Sequence, residues 1–152
     1  MAFVDPNLEN VLNLLNQLKA DSKPQWGTMS AQQMIEHLSD LFYIALGEKS
    51  VTLVTPEEKL PKLHAFIESE DPMPRNFKAP FVTDNSPLRH EELELAIDEF
   101  VELYLRFEDE FEENPSKITV HPIFGPLNYT QWCRLNQKHL THHFLQFGLV
   151  TD

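Results

Sequence analysis

Two histidines, His139 and His143, stand four residues apart in the run Lys138-His139-Leu140-Thr141-His142-His143-Phe144-Leu145-Gln146. On a helix this spacing puts both imidazoles on one face, where they can reach a single ion. At about 100° per residue, Trp132, Asn136, His139, His143 and Gln146 fall along one line. Leu135 flanks that line on one side, and Cys133, Leu140, Phe144 and Phe147 flank it on the other. Arg134, Lys138 and Thr141 point roughly the opposite way. The histidines therefore lie in the arc expected to face the core. Buried polar groups need partners, and a metal ion is one such partner.

A third candidate ligand is His37, between Met34 and Leu41 on a second apolar stripe. Alone it would read as a core histidine; beside the pair it reads as a ligand. Three imidazoles with an open fourth position are a recurring catalytic zinc arrangement. Imidazole also suits nickel, iron and copper, and one divalent ion, zinc or nickel, is the expectation. Gln146, Asn136 and Asp40 are candidates to orient a ligand or a substrate. The ordinary reading of the two amides is a hydrogen-bonded place in the core. Glu36 diverges from His37 by about 100° and is expected to be exposed. Tyr43 and Tyr104 are general-acid candidates whose ordinary role is packing. Trp26 and Trp132 read as aromatics closing the bundle end. His142 reads as a residue supporting a ligand from behind or lying at the surface, His121 as the anchor of a loop before Pro122, and His64 and His90 as ordinary histidines in exposed segments.

The elements that must carry these residues are helical. A first helix is expected from Pro6 to about Ala20, striped by Leu8, Val11, Leu12, Leu15 and Leu18. A second runs from Ser30 to Leu46, opened by a Ser30/Gln33 capping box and stopped by Gly47. A third long helix opens near Ser86-Pro87, or a few residues later, and runs to Phe111. The last spans Asn128 to Phe147, with an Asn128/Gln131 capping box and Gly148 as its stop. The long connection from Glu48 to Asn85 is expected to hold a short helix capped by Thr55-Pro56-Glu57-Glu58, with Pro61 near its start. The proline-rich stretch from Asp71 to Pro80 should follow it, extended over one end of the bundle. Ile118 to Ile123 is β-prone but short, and an extended loop is expected there. The fold class is all-α: a single domain over residues 1–152, a four-helix bundle with a long crossover between its second and third long helices.

Composition supports a compact core: 41% of the 152 residues are hydrophobic and only four are glycine. The net charge of −12 disfavours nucleic acid and anionic membranes. From Glu91 to Glu113 eleven acids face one base, Arg106. That run reads as the solvated side of a helix, or as a docking face for a basic partner. No stretch approaches a membrane span, and Met1 to Leu15 has neither a basic start nor a long apolar run. With one cysteine, Cys133, a cytoplasmic setting is expected.

Several of these segments together resemble the DinB/YfiT-like superfamily of metalloenzymes, and within it a branch of unassigned function. The matching residues are Trp26-Gly27-Thr28-Met29-Ser30, Gln33-Met34-Ile35-Glu36-His37-Leu38, His121-Pro122-Ile123-Phe124-Gly125-Pro126-Leu127, Trp132, and Lys138 through Gly148. The resemblance covers the second and last helices and the approach to the latter. It implies a four-helix bundle with one divalent metal held by His37, His139 and His143. In the superfamily the last of these is often followed by Arg-Gly-Gln. Here Phe144-Leu145-Gln146 keeps only the glutamine. The resemblance also implies activation of a low-molecular-weight thiol, or hydrolysis or isomerisation of thiol adducts; the chain carries no thiol-cofactor motif of its own.

Three readings follow. The first is a metal-dependent hydrolase or thiol transferase acting on a small substrate. The second is a non-catalytic bundle whose histidines bind metal or one another. The third is an acidic interaction module. A homodimer through helix faces is compatible with each.

Overall fold

The computed structural model describes residues 2–75 and 87–152. Among these residues the chain forms five α-helices and one two-stranded sheet. Asn76 to Pro80 of the proline-rich stretch, and Ser86 at the expected helix start, lie outside the described residues.

Helix α1, Leu8–Leu15, is shorter at both ends than the expected span from Pro6 to about Ala20. Asp5 accepts from the backbone N–H of Asn7, and Asn7 in turn caps the helix by accepting from Glu9. The helix therefore opens after Asn7 rather than at Pro6. At the other end, bonds from Gln17 to Leu14 and from Leu18 to Leu15 close tight turns. These keep Leu18 buried without continuing the α-helix.

Helices α2, Ala31–Leu46, and α5, Tyr129–Gln146, carry the histidines and match the expected spans. Each opens with its complete capping box, Ser30 with Gln33 and Asn128 with Gln131. Each ends in a Schellman-type turn. Glu48 N–H bonds to Tyr43 O and Gly47 N–H to Ile44 O; Leu149 N–H bonds to Phe144 O and Gly148 N–H to Leu145 O. Gly47 and Gly148 take left-handed φ values of 81° and 70°, which glycine adopts without strain. Both ends of both helices are thus fixed locally, and so is the angular position of each histidine they carry.

Between them a 3₁₀ turn, Glu57–Lys59, runs into helix α3, Leu60–Glu68, with Pro61 in its first turn. Helix α4 spans Leu93–Glu113. It starts later than Ser86-Pro87 because Arg89 and His90 give their backbone N–H groups to the Glu36 carboxylate on α2. Phe42 of α2 packs its ring against Phe100, Tyr104 and Phe107 of α4.

The expected loop at Ile118 to Ile123 is instead part of a hairpin. Strand β1, Thr119–His121, pairs antiparallel with β2, Gly125–Leu127, in the register Thr119↔Leu127 and His121↔Gly125. A side chain closes its turn: His121 Nδ1 accepts from the N–H groups of Ile123 and Phe124. Thr119 Oγ1 donates to Ala45 O of α2 and accepts from Trp132 Nε1 of α5, which ties the two histidine-bearing helices to one strand.

Helix α5 is buried more fully than its amphipathic line suggests. Lys138 and Thr141, expected to face away from the core, are 1% and 2% exposed. Two distant segments cover that side: Val4 N–H near the N-terminus bonds Thr141 Oγ1, and the Ser69–Asp71 strap after α3 bonds Lys138. No helix among the described residues is long and apolar enough to cross a membrane.

Candidate metal centre

His37 projects from α2 toward His139 and His143 on α5. His37 Nε2 lies 3.0 Å from His139 Nε2, which lies 3.0 Å from His143 Nε2. The three ligating nitrogens fall within 4.8 Å of one another. A tetrahedral ion with metal–nitrogen bonds of about 2.0–2.1 Å would hold such nitrogens roughly 3.3 Å apart; the two 3.0 Å separations are close to that, and the wider pair, within 4.8 Å, would draw in on an ion. His139 and His143 are 8% and 5% exposed, and His37 is half-buried.

The hydrogen bonds around His143 fix its tautomer. Gln146 Nε2 donates to Trp26 O, which can only accept, at 3.1 Å. Gln146 Oε1 must then face His143 Nδ1, 2.7 Å away, so Nδ1 carries the proton. In the neutral ring, Nε2 of His143 is left as a lone pair aimed at His139. His139 Nε2 has either one hydrogen or one lone pair, yet it meets two imidazole nitrogens. At most one of the two 3.0 Å contacts is then a full hydrogen bond between neutral rings. A cation accepting three lone pairs resolves the conflict, and the donor set fits a divalent ion such as zinc or nickel.

Electrostatics point the same way. Burial, and secondarily the charges of His142 and Lys49, lowers the His37 pKa to about 4. Burial holds His139 well below its ordinary range, as do its neighbours His143 and His37. His143 is held down likewise, by burial and then by His37. Neutral imidazoles at neutral pH are the metal-binding form.

The other candidates divide. Gln146 bonds a proposed ligand directly, as the sequence suggests. Asp40 does not serve the histidines: its carboxylate pairs with Arg89 at 2.7 Å. Asn136 has no hydrogen bond to the cluster and lines a separate, mostly apolar cavity of about 350 Å³ with Phe42, Tyr104 and Cys133. Tyr43 donates to Glu99 and Tyr104 to Pro6 O, so neither hydroxyl is bonded to the cluster. Trp26 lies at the rim and Trp132 in the core. His142 stands beside the cluster, its ring 4.9 Å from that of His143. His121 holds the hairpin turn, and His64 bonds Phe124 O.

Glu36 is 5% exposed rather than solvated. The sequence does not reveal this, because its partners, the backbone of Arg89 and His90, lie more than fifty residues away. On acidic α4, Glu99, Glu108 and Glu110 are engaged by Arg89, Tyr129 and Lys117. Part of the acid run therefore serves internal pairing.

Fold and site together define a mostly helical protein with a three-histidine cluster of metal-ligating geometry. Comparison with protein-family models, with curated proteins and with solved structures gave no match.

Proposed function

We propose that this chain is a divalent-metal protein of the DinB/YfiT type. His37, His139 and His143 hold one zinc or nickel ion, and the substrate is a small electrophilic or thiol-bearing molecule. The observation that carries the reading is the convergence of three imidazole nitrogens from two independently capped helices, one of them locked as a tautomer by Gln146. The order of the Trp26, His37, His121 and His139 motifs supports the family reading, and so does the long connection between α2 and α4.

When bound, such an ion supplies Lewis acidity and lowers the pKa of water or a thiol in a fourth position, giving a nucleophile near neutral pH. Gln146 orients the His143 ring and keeps its Nδ1 proton in place. Burial keeps His139 and His143 neutral, and α2 delivers His37 from the opposite side. Hydrolysis and thiol transfer both fit this arrangement; the thiol branch rests on the resemblance.

The test is elemental analysis of untagged protein beside the His37→Ala and His139→Ala variants. About one divalent ion per chain in the parent, lost in both variants, is the expected result. An absence of metal in the parent after reconstitution rejects the reading. It would leave the histidine-cored bundle, which the burial of His139 and His143 also fits.

A further inference from the structure

A second cavity, of about 340 Å³, is lined by His142, the neighbour of the histidine cluster. Its walls include Phe3, Trp26, Met73, Arg75, Lys138 and His142. The cavity is coupled to the site through two of these. The His142 ring stands 4.9 Å from that of His143 and 5.5 Å from that of Trp26. Trp26 O accepts from the Gln146 amide that orients His143.

The charge of this cavity runs against that of the chain. In a protein of net charge −12, Arg75 and Lys138 line it against one carboxylate, Asp152. The Arg75 guanidinium lies over the Trp26 ring, 4.1 Å from its centroid. Asp152 approaches Arg75 only to 3.6 Å, with both side chains more than half exposed. That distance is too long for a hydrogen bond, and such an exposed pair is weak. Lys138 is 1% exposed, and the carboxylates that act on it, Asp71 and Glu70, do so at longer range than a direct ion pair. Its ammonium donates to Asp71 O at 2.6 Å and to Ser69 Oγ at 3.2 Å, and sits over the Phe66 ring. Only the more distant Asp71 and Glu70 carboxylates offset its charge, so an anion entering the cavity would meet a net positive field from Arg75 and Lys138.

We propose that this cavity binds a small flat organic acid, with its carboxylate on the Arg75 fork and its apolar body against Trp26, Phe3 and Met73. The guanidinium matches a carboxylate in two parallel hydrogen bonds. Trp26 holds it in position, and the ligand displaces Asp152. Lys138 is a positioning residue: it fixes the strap that carries Arg75 and adds a positive field. The proposal deepens the metal-centre reading by naming its substrate class. It rests on that reading for the reaction alone, since binding at Arg75 needs no metal.

The test is tryptophan fluorescence of the full chain titrated with benzoate and, in parallel, with its neutral analogue benzamide, in chelator-treated and zinc-treated protein. Trp26 lies in the cavity wall, so its emission reports occupancy. Saturable binding of benzoate in both preparations is expected, about tenfold or more tighter than benzamide. Arg75→Gln should weaken it about tenfold, and Arg75→Lys by less. Equal affinity for benzoate and benzamide, or an unchanged affinity in Arg75→Gln, overturns the proposal. So does the lack of saturable binding. Benzoate binding that needs zinc and disappears in His139→Ala also overturns it, because the acid would then sit on the metal, while the metal reading stands. Zinc-independent benzoate binding in a protein that takes up no zinc has the reverse meaning.

Discussion

Gln146 is the residue on which the cluster's chemistry turns. Its amide cannot flip, because Trp26 O needs a donor, and so its oxygen holds the Nδ1 proton of His143. Partners of this kind fix the tautomer and aim the ligating lone pair, and their loss typically costs 10–100-fold in metal affinity. Gln146→Ala should therefore weaken zinc binding about tenfold to a hundredfold, measured by competition with a chromogenic chelator, while the fold persists. Gln146→Glu restores an acceptor facing Nδ1 and should recover much of the affinity. Equal zinc affinity in Gln146→Ala and the parent would show that His143 needs no such support. Gly27 belongs to the same device. A Cβ at that position would meet the Gln146 amide nitrogen at 3.2 Å from a left-handed backbone, so a small residue keeps Trp26 O within reach of the glutamine.

At the scale of elements, the hairpin β1–β2 is the part that holds α2 and α5 in register. Thr119 Oγ1 bonds both helices at once, through Ala45 O and Trp132 Nε1. Thr119→Val keeps the shape but leaves the buried indole N–H and a helix-end carbonyl unpaired. This should cost about 1–3 kcal/mol, read as a lower denaturant midpoint. Thr119→Ser keeps the hydroxyl and should lose less. If Val and Ser cost the same, the hydroxyl does not link the helices. The same element shows where sequence reasoning stops. Helices α2 and α5 were legible to within a residue because their caps are local: Ser30 with Gln33, Asn128 with Gln131, and a glycine after each. The convergence of His37, His139 and His143 was legible because it follows from helical period on those two helices. The hairpin was not, because a His121 side chain closes its turn and distant helices pin its strand. Glu36 and Lys138 failed for the same reason. Each was judged by its own helix face, and each is buried by a segment far away in sequence.

Taken as a whole, the molecule holds at least four histidines in their neutral form. His37 is lowered to about 4 and His121 to about 3, both chiefly by burial, and His139 and His143 are held well below the ordinary value of 6.5. In the unfolded chain these imidazoles take up protons as pH falls through about 6.5. In the folded chain His37 does not until about pH 4 and His121 until about pH 3, and His139 and His143 not until well below their ordinary range. Between those limits the unfolded state binds more protons, so stability is fully present above about pH 6.5 and falls as the solution is acidified. Denaturant midpoints of chelator-treated protein should therefore drop steadily from pH 7 to pH 4. Metal affinity of the folded protein should behave differently. Its ligands are already neutral across that window, so little proton competition arises until the pH approaches the folded-state values. Zinc affinity measured while the protein remains folded should stay nearly flat from pH 7 to about pH 5, where exposed histidine sites would already have weakened. A zinc affinity that declines from pH 6.5 downward, in step with the denaturant midpoint, would mean that the cluster protonates like free imidazole and that burial does not keep it ready for a metal.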